Sequence, residues 1–356
     1  MKKLLVIILA AVFVFAFAAC GNNSGSQTAP PASPPPAQNA PEATPDEPLE
    51  TVTVTIATTK MPAQDVGIAV DTFVSKLEEK LGDRVDVTVF GGGQLYNATE
   101  QTQALIRNEV NMVFDITSLL QQFDNRSQMI ILPGIFPDIN TAYKVLDEPE
   151  VRDFLFTDLA ASNIKMLAIV HGGGYVVSNS SRAIQQPSDM AGLKIRASGA
   201  LELGLVEACG GASMVTPSDE TFSALQQKVI DGTLNPAKIF IERSFYEVNK
   251  YLTDLSIVYF ASYYISSNNA WFDGLPADVQ AAIIEAANET QAEARAYAAV
   301  VDSDAFSMAA EHDVEVFRPA DLSEWYSLAA TAAEADIEAI GVELVDEYRA
   351  LVAKYS

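Results

Sequence analysis

The stretch TVTVTIATTKMPAQDVGIAVDTFVSKLEEKLGDRVDVTVF, residues 51–90, predicts the fold class. Its first nine residues alternate between polar and apolar side chains, which is typical of a β-strand. Residues 65–81 place apolar side chains on one helical face, and residues 85–90 form a second strand. A helix at 99–107 and a strand at 110–116 complete a βαβαβ order, which predicts a mixed sheet flanked by helices.

A second series of strands and helices follows this segment. The predicted elements are strands at 165–170 and 175–178 with His171 and Gly172-Gly173-Gly174 between them, a helix at 218–229, a long Ala-rich helix at 275–308, and one amphipathic helix at 323–354. At 1.5 Å per residue, the helix that begins near Pro276 is long enough to run along two lobes.

The N-terminus has the features of an export signal. Lys2 and Lys3 precede an apolar run that ends at Ala18-Ala19-Cys20-Gly21, which predicts a signal peptide over residues 1–19. A cysteine in this position indicates a lipidated mature N-terminus at Cys20; the alternative is ordinary cleavage after Ala19. Residues 21–50 are rich in Pro and Ala and predict a disordered tether behind the lipidated cysteine.

The acidic composition argues against several classes of partner. The formal net charge is −25, and loss of Lys2 and Lys3 leaves 20 basic against 47 acidic residues, a charge of −27. Such a field disfavours nucleic acid and anionic membrane surfaces as partners. If Cys20 is lipidated, Cys209 is the single remaining thiol, and we expect it to be buried and unreactive.

Motifs for catalysis and cofactors are weak. The triplets 91–93 and 172–174 lack the residues of a phosphate-binding loop, so a flexible hinge or pocket wall is the better interpretation. His171 and His312 have no cysteine partners for zinc, and no serine lies in a nucleophile motif. The sequence therefore predicts no catalytic residue, metal or cofactor.

Arg196 and Asn235 are the strongest candidate binding residues. Arg196 follows Ile195 at the end of a predicted strand, and Asn235 follows another predicted strand beside Pro236. A planar guanidinium suits a ligand carboxylate, whereas the alternative is a surface ion pair. For Asn235 the alternative is an Asx-turn before Pro236. With no nucleophile or base between them, the pair predicts a carboxylate clamp that binds without catalysing.

Residues 51–356 resemble the DctP family, the solute-binding subunits of tripartite ATP-independent periplasmic (TRAP) transporters. Seven segments resemble family motifs in the family's order: GGGQL at 91–95, ALIRNEVNMVF at 104–114, LPGIFPDINTAYKVLD at 132–147, AGLKIR at 191–196, ALQQKVIDGTLNP at 224–236, FYEVNKYL at 245–252 and NNAWFDGLPADVQAAIIEAA at 268–287. Each segment is a weak signal, whereas seven in the same order are a specific one.

The resemblance implies a two-lobed α/β fold of the periplasmic-binding-protein (Venus flytrap) type that closes around its ligand. Lobe I is expected at 51–172 plus 262–300 and lobe II at 173–261 plus 301–356. The ligand is expected to be an organic acid that passes to membrane permease subunits driven by an ion gradient. The family's carboxylate-binding arginine falls on Arg196, and its pocket asparagine falls on Asn235.

Further pocket residues follow from the same resemblance. Asp115 could accept from a ligand hydroxyl or amine or bind a cation, or it could cap a helix. Asn97, Thr117 and Ser218 are additional pocket candidates. In GGGYVVSNS at 172–180, Tyr175 stands where many family members have a second arginine. This departure predicts a pocket with a single arginine and a monocarboxylate ligand.

Two other functions remain to be separated from this one. An ABC-type or sensor-associated receptor would capture its ligand by the same chemistry. An exported hydrolase of small acids would need a nucleophile and a base, and the sequence shows no such pair.

Overall fold

The structure, a computed structural model, describes residues 50–59, 65–216, 220–255 and 260–356, without the side chains of 65–67, 171, 260 and 261. The signal, Cys20, the tether and Ser218 lie outside the described residues. The strands are Val52–Thr58 (β1), Val85–Phe90 (β2), Met112–Ile116 (β3), Ile164–Asn179 (β4), Lys194–Arg196 (β5), Ala212–Met214 (β6), Gly232–Pro236 (β7), Tyr251–Asp254 (β8), Phe260–Asn268 (β9) and Glu315–Phe317 (β10).

Helices surround these strands. They are Asp65–Leu81 (α1), Glu100–Ile106 (α2), Ile139–Asp147 (α3), Pro149–Ala161 (α4), Ala200–Ala208 (α5), Thr221–Gln226 (α6), Ala237–Glu242 (α7), Asn269–Asp273 (α8), Ala277–Glu311 (α9), Ser323–Ala332 (α10), Glu334–Ile340 (α11) and Val342–Tyr355 (α12). Short 3₁₀ helices occur at Gly82–Arg84, Thr117–Gln122, Asn125–Ile131, Pro187–Met190 and Phe245–Glu247. No helix in the described ranges is both long and apolar enough to cross a membrane.

The strands form two mixed sheets that share β4. The strand order is β2-β1-β3-β9-β4-β7-β5-β6, and β10 and β8 extend from β4 on a side branch. β1 runs parallel to β2 and β3, and β5 runs parallel to β6 and β7. β4 runs antiparallel to β9 in one sheet and to β7 and β8 in the other. The predicted mixed sheets flanked by helices are thereby confirmed.

The α1 helix shows why the predicted apolar stripe forms a helix here. Phe73 and Leu77 are fully buried, and the Phe73 ring packs edge-on against Phe114 of β3, with centroids 5.4 Å apart. On the outer side of the same helix, Lys80 pairs with Glu289 of α9 at 2.8 Å. Apolar burial therefore holds α1 to the sheet, and exposed ion pairs of modest strength orient it against α9.

The long helix α9 contributes to two separate hydrophobic cores. Val279 and Ile283 belong to the core that contains α1, β1 and β3. Phe306 and Ala309, about 25 residues further on, belong to the core that contains residues of β4, β8 and α7. The prediction of a helix that runs along both halves of the molecule is confirmed.

The strand prediction at residues 165–178 was wrong in one respect. Two strands were expected on either side of the glycine triplet, whereas β4 is a single strand with a register shift between His171 and Gly174. Gly173 adopts a φ of +93°, and the Gly174 N–H donates to Asp302 Oδ2 of α9 at 2.8 Å. The triplet lets β4 pass from one sheet to the other without ending.

Two helix predictions also needed correction. The single helix expected at 323–354 is three helices. The first break is at Ala333, and the second is at Gly341, whose φ of +111° a continuing helix cannot accommodate. The helix expected at 218–229 is described only as α6, residues 221–226, and the chain then turns through Lys228 at a φ of +57°.

Cys209 is buried, as the sequence predicted. Its side chain is 4% exposed and forms no disulfide. Burial raises the pKa of the Cys209 thiol to about 12, so the thiolate is scarce at neutral pH.

We predict that Gly173→Ala destabilises the protein by about 2–3 kcal/mol. A Cβ at Gly173 would lie 2.6 Å from Asp302 Oδ1, and the positive φ adds strain. Gly192→Ala is the matched control, because Gly192 has a φ of +75° with open space around its Cα, and it should lose only about 1 kcal/mol. Urea unfolding measures both losses of stability; equal losses would show that the close approach of the new Cβ to Asp302 adds no cost.

Candidate ligand-binding site

Arg196 is the last residue of β5 and lies partly buried at its carboxyl end. Its Nε donates to the Thr216 carbonyl at 3.1 Å, and its Nη1 donates to Ser198 Oγ at 2.7 Å. Among the described residues, its side-chain partners are this carbonyl and this hydroxyl, and it forms no ion pair with a carboxylate. Burial lowers the pKa of Arg196, but an arginine remains protonated at neutral pH, so its positive charge has no direct counter-ion here. This geometry disfavours the surface ion pair.

Asn235 lies on β7, the strand next to β5. In the register of this parallel pair, Arg196 lies opposite Thr233. Side chains alternate along a strand, so Arg196, Thr233 and Asn235 lie on one face, with Asn235 two residues further along. Two strand residues span about 7 Å, so both predicted clamp residues lie at one edge of the sheet.

The Asn235 carboxamide is only half satisfied. The residue is 3% exposed, and its Nδ2 donates to the Pro236 carbonyl at 2.7 Å. Its Oδ1 is buried and accepts no hydrogen bond from the described part of the chain. A buried acceptor without a donor is unfavourable by about 1–3 kcal/mol, and such groups are rare in folded proteins. An Asx-turn would use this oxygen, so the turn does not account for it.

Tyr175 lies on β4 opposite Pro236 of β7, at the same end of the sheet. Its hydroxyl donates to Glu202 Oε1 at 2.9 Å. Burial raises the pKa of Tyr175 well above its ordinary value, and the negative charge of Glu202 raises it further. The positive charge of Arg196 opposes this rise, which places the phenol and the guanidinium within electrostatic reach of each other.

A second polar group lies on the β1–β3–β9 sheet. Asp115 of β3 is fully buried; Thr59 Oγ1 donates to its Oδ2 at 2.7 Å and the Ile116 N–H donates to its Oδ1 at 2.7 Å. Gln101 Nε2 also donates to this carboxylate. These three hydrogen bonds organise this end of the sheet, and none of them caps a helix.

Thr117 lies two residues beyond Asp115 and is also buried. Its Oγ1 lies 2.9 Å from Ser262 Oγ of β9. Asn97, in contrast, is exposed, and its Oδ1 accepts from the Thr99 N–H at 3.0 Å and the Glu100 N–H at 3.0 Å. These bonds cap the start of α2. Ligand contacts of Asn97, Asp115 and Thr117 stay predictions.

The structure adds three residues that sequence reasoning missed. Glu202 accepts from Tyr175, as described above. Arg243, at the end of α7, is close enough to Arg196 for its charge to lower the pKa of Arg196, and within the described ranges it forms no ion pair. Gln101 Oε1 is buried without a donor from the described residues. No sequence motif surrounds any of these three residues. The only available signal was that Glu202 is an acidic residue six positions after Arg196.

A separate cavity of about 150 Å³ lies between α1, β4, α7 and α9. Its polar wall includes Lys238 and Asp302, which already contact Glu242 and the Gly174 N–H respectively. None of the described clamp residues lines it, and it lies at the β4 crossing. Ligand capture at the strand ends around Arg196 stays a prediction. The described residues also contain no cluster of three His, Cys, Asp or Glu suited to a metal ion.

Comparison with known proteins assigns the family. The model of bacterial extracellular solute-binding protein, family 7 (DctP) matches residues 56–337. The chain belongs to this family. A solute-binding protein of Verminephrobacter eiseniae is 31% identical over 240 residues, which cover 67% of this chain and 70% of that protein.

Solved structures of TRAP periplasmic solute-binding proteins share the fold. One from Sulfurospirillum deleyianum with bound succinate is 27% identical, with a TM-score of 0.71 over 84% of this chain and 98% of that one. One from Roseobacter denitrificans with bound β-D-glucuronate is 21% identical, with a TM-score of 0.75 over 86% of this chain and 100% of that one. The two-lobed periplasmic-binding-protein fold is confirmed.

This DctP chain is therefore a TRAP solute-binding subunit, and its family and fold are those of transport proteins rather than enzymes. Its family acts outside the cytoplasm. The predictions of a transport receptor and of no enzymatic role are confirmed, and the hydrolase alternative is set aside.

We predict that Asn235→Leu leaves the stability of the ligand-free protein unchanged or raises it by up to about 1 kcal/mol, because it removes a buried acceptor that lacks a donor. Asn268→Leu is the control. Asn268 is equally buried but accepts from the Trp271 N–H at 2.8 Å and donates to the Leu105 carbonyl at 2.8 Å. The Asn268→Leu protein should lose at least about 2 kcal/mol of unfolding free energy, measured by urea unfolding. A similar loss at both positions would assign Asn235 a structural role.

Proposed function

We propose that this DctP chain captures an organic acid whose carboxylate pairs with Arg196, and that it delivers the acid to an ion-gradient-driven TRAP permease. The observation that carries the proposal is a partly buried guanidinium without a counter-ion among the described residues. In a chain of net charge −25, many carboxylates are available to pair with such a group. A planar guanidinium left open at a strand end suits a bidentate contact with a ligand carboxylate.

We further propose that the ligand is a monocarboxylate. Tyr175 stands where the family resemblance implies a second arginine, and its hydroxyl already donates to Glu202. The charges of Arg196, Arg243 and Glu202 sum to +1, which one carboxylate neutralises. The structural relatives include both a uronate and a dicarboxylate complex, so this proposal rests on the chain's own residues.

The free Asn235 Oδ1 suggests what else the ligand carries. This oxygen is an acceptor, so its complement is a hydroxyl or amine on the ligand. Formation of such a bond would remove the free-energy cost of the buried acceptor on binding. A hydroxylated monocarboxylate therefore fits the two sides of the clamp.

Hinge closure between two lobes would complete the site. We propose lobe I at 51–172 plus 262–300 and lobe II at 173–261 plus 301–356, because β4 changes sheets at Gly172–Gly174 and α9 serves two cores. The C-terminal helices join the lobes, since Tyr348 of α12 stacks on Phe154 of α4 with centroids 6.3 Å apart. Closure would exclude water and strengthen the pairing of the ligand with Arg196.

We predict that Arg196→Ala weakens binding by at least about 2–3 kcal/mol, because it leaves a buried ligand carboxylate unpaired. The ligand is first identified by native mass spectrometry of the purified protein and then titrated by calorimetry. Arg182→Ala is the control, because Arg182 donates to the Asp189 carbonyl at 2.8 Å and serves a loop. Unchanged affinity in Arg196→Ala would refute the proposed clamp.

We also propose that Cys20 is lipidated and anchors the protein to the membrane; the support is the signal-like sequence that ends in Ala18-Ala19-Cys20-Gly21. Cys20→Ser should release the mature protein from the membrane fraction and abolish incorporation of labelled palmitate. Cys209→Ser, which removes the buried thiol, should leave both unchanged. A Cys20→Ser protein that still fractionates with membranes and carries the label would rule out the anchor.

A further inference from the structure

We propose that Glu202 determines charge selectivity in this pocket: its fixed carboxylate admits acids with one negative charge and rejects those with two. The inference rests on the proposed function of Arg196 and names a residue that acts on the same site.

Glu202 and Arg196 bracket one turn of the chain. The turn Ala197–Gly199 joins β5 to α5, and Glu202 lies in the first turn of that helix. The Arg196 guanidinium donates to Ser198 Oγ at 2.7 Å. The Glu202 carboxylate lies over the next residue, Gly199, where an added Cβ would be 2.2 Å from Oε2. The Arg196 guanidinium and the Glu202 carboxylate therefore contact two adjacent residues, Ser198 and Gly199.

Two contacts fix the carboxylate in this position. The Tyr175 hydroxyl donates to Oε1 at 2.9 Å, and Gly199 provides the space that any larger residue would fill. Glu202 forms no ion pair with Arg196, so the two charges coexist side by side rather than in contact. The guanidinium stays open to a ligand, and the negative charge of Glu202 remains in the field of the site.

This arrangement limits the charge of the ligand. One ligand carboxylate balances Arg196, Arg243 and Glu202, whereas a second would leave a net negative charge near Glu202 in a partly buried site. For two like charges about 8 Å apart at an effective dielectric of about 20, the repulsion weakens binding of the ligand roughly thirtyfold. The overall negative charge of the protein adds to this rejection.

Another role for Glu202 is purely structural. A glutamate in the first turn of a helix interacts favourably with the helix dipole and stabilises the helix. If Glu202 only stabilises the helix, Glu202→Gln should lose stability but keep the wild-type preference between monoacids and diacids. A measurement of that preference therefore distinguishes helix stabilisation from selection of ligand charge.

The test compares wild type, Glu202→Gln and Glu207→Gln. Glu207 lies on the same helix, is exposed and accepts from Ser213 Oγ at 2.5 Å, so its replacement removes the same charge away from the site. The probes are two pairs of acids that differ by one carboxylate, D-gluconate with D-glucarate and L-lactate with L-malate. Calorimetry gives the ratio of dissociation constants within each pair, and circular dichroism confirms folding.

We expect wild type to prefer the monoacid, and Glu202→Gln to lower the preference by at least roughly tenfold through tighter binding of the diacid. Such a gain of binding cannot come from misfolding. Glu207→Gln should keep the wild-type ratio. Equal ratios in wild type and Glu202→Gln, or an equal shift in Glu207→Gln, would overturn the proposal.

A second measurement does not depend on the choice of probe. Each variant is produced in medium supplemented with succinate and malate, and the small acids that it retains are identified by mass spectrometry. Diacids retained by Glu202→Gln but not by wild type support the proposal, and diacids retained equally by both overturn it. Arg196→Ala separates the two hypotheses: if it alone abolishes retention while Glu202→Gln changes nothing, capture by Arg196 stands and charge selection by Glu202 fails.

Discussion

β4 has to pair the backbone groups of residues 164–179 while it passes from one sheet into the other. Unpaired backbone groups in a buried strand are unfavourable, so β9 pairs its first part and β7 and β8 pair its last part. At the crossing, Asp302 of α9 accepts from the Gly174 N–H, and Gly173 takes a positive φ. The sheets, the long helix and the ends of β5 and β7 are positioned relative to this strand.

The candidate site at the ends of β5 and β7 combines two positive charges with one negative charge. Arg196 carries an open positive charge, Arg243 adds a second within reach, and Glu202 opposes them from the first turn of α5. A transport receptor has to bind its ligand and also release it. A site with a small net charge suits both requirements, because full neutralisation by the protein itself would leave no electrostatic attraction for an acid.

The elements near the N-terminus could be predicted well because their pattern is local. Strict alternation and a clear apolar stripe located β1, α1 and β2. The errors arose where longer-range interactions override local signals. Three glycines predicted a break in β4, yet pairing with β9 and the bond to Asp302 keep the strand continuous. The C-terminal apolar periodicity predicted one helix, and the positive φ of Gly341 divides it.

Seven ordered motifs in the linear chain were enough to indicate the family and the two-lobed fold, because each motif is a contiguous run of residues. The same motifs predict the roles of Arg196 and Asn235. The charge balance around Arg196 was decided only by the tertiary structure. Glu202, Arg243 and Tyr175 come from α5, α7 and β4, and no local pattern records that the fold brings their charges and hydrogen bonds together. Side-chain electrostatics depend on distance in space, which the order of residues along the chain does not specify.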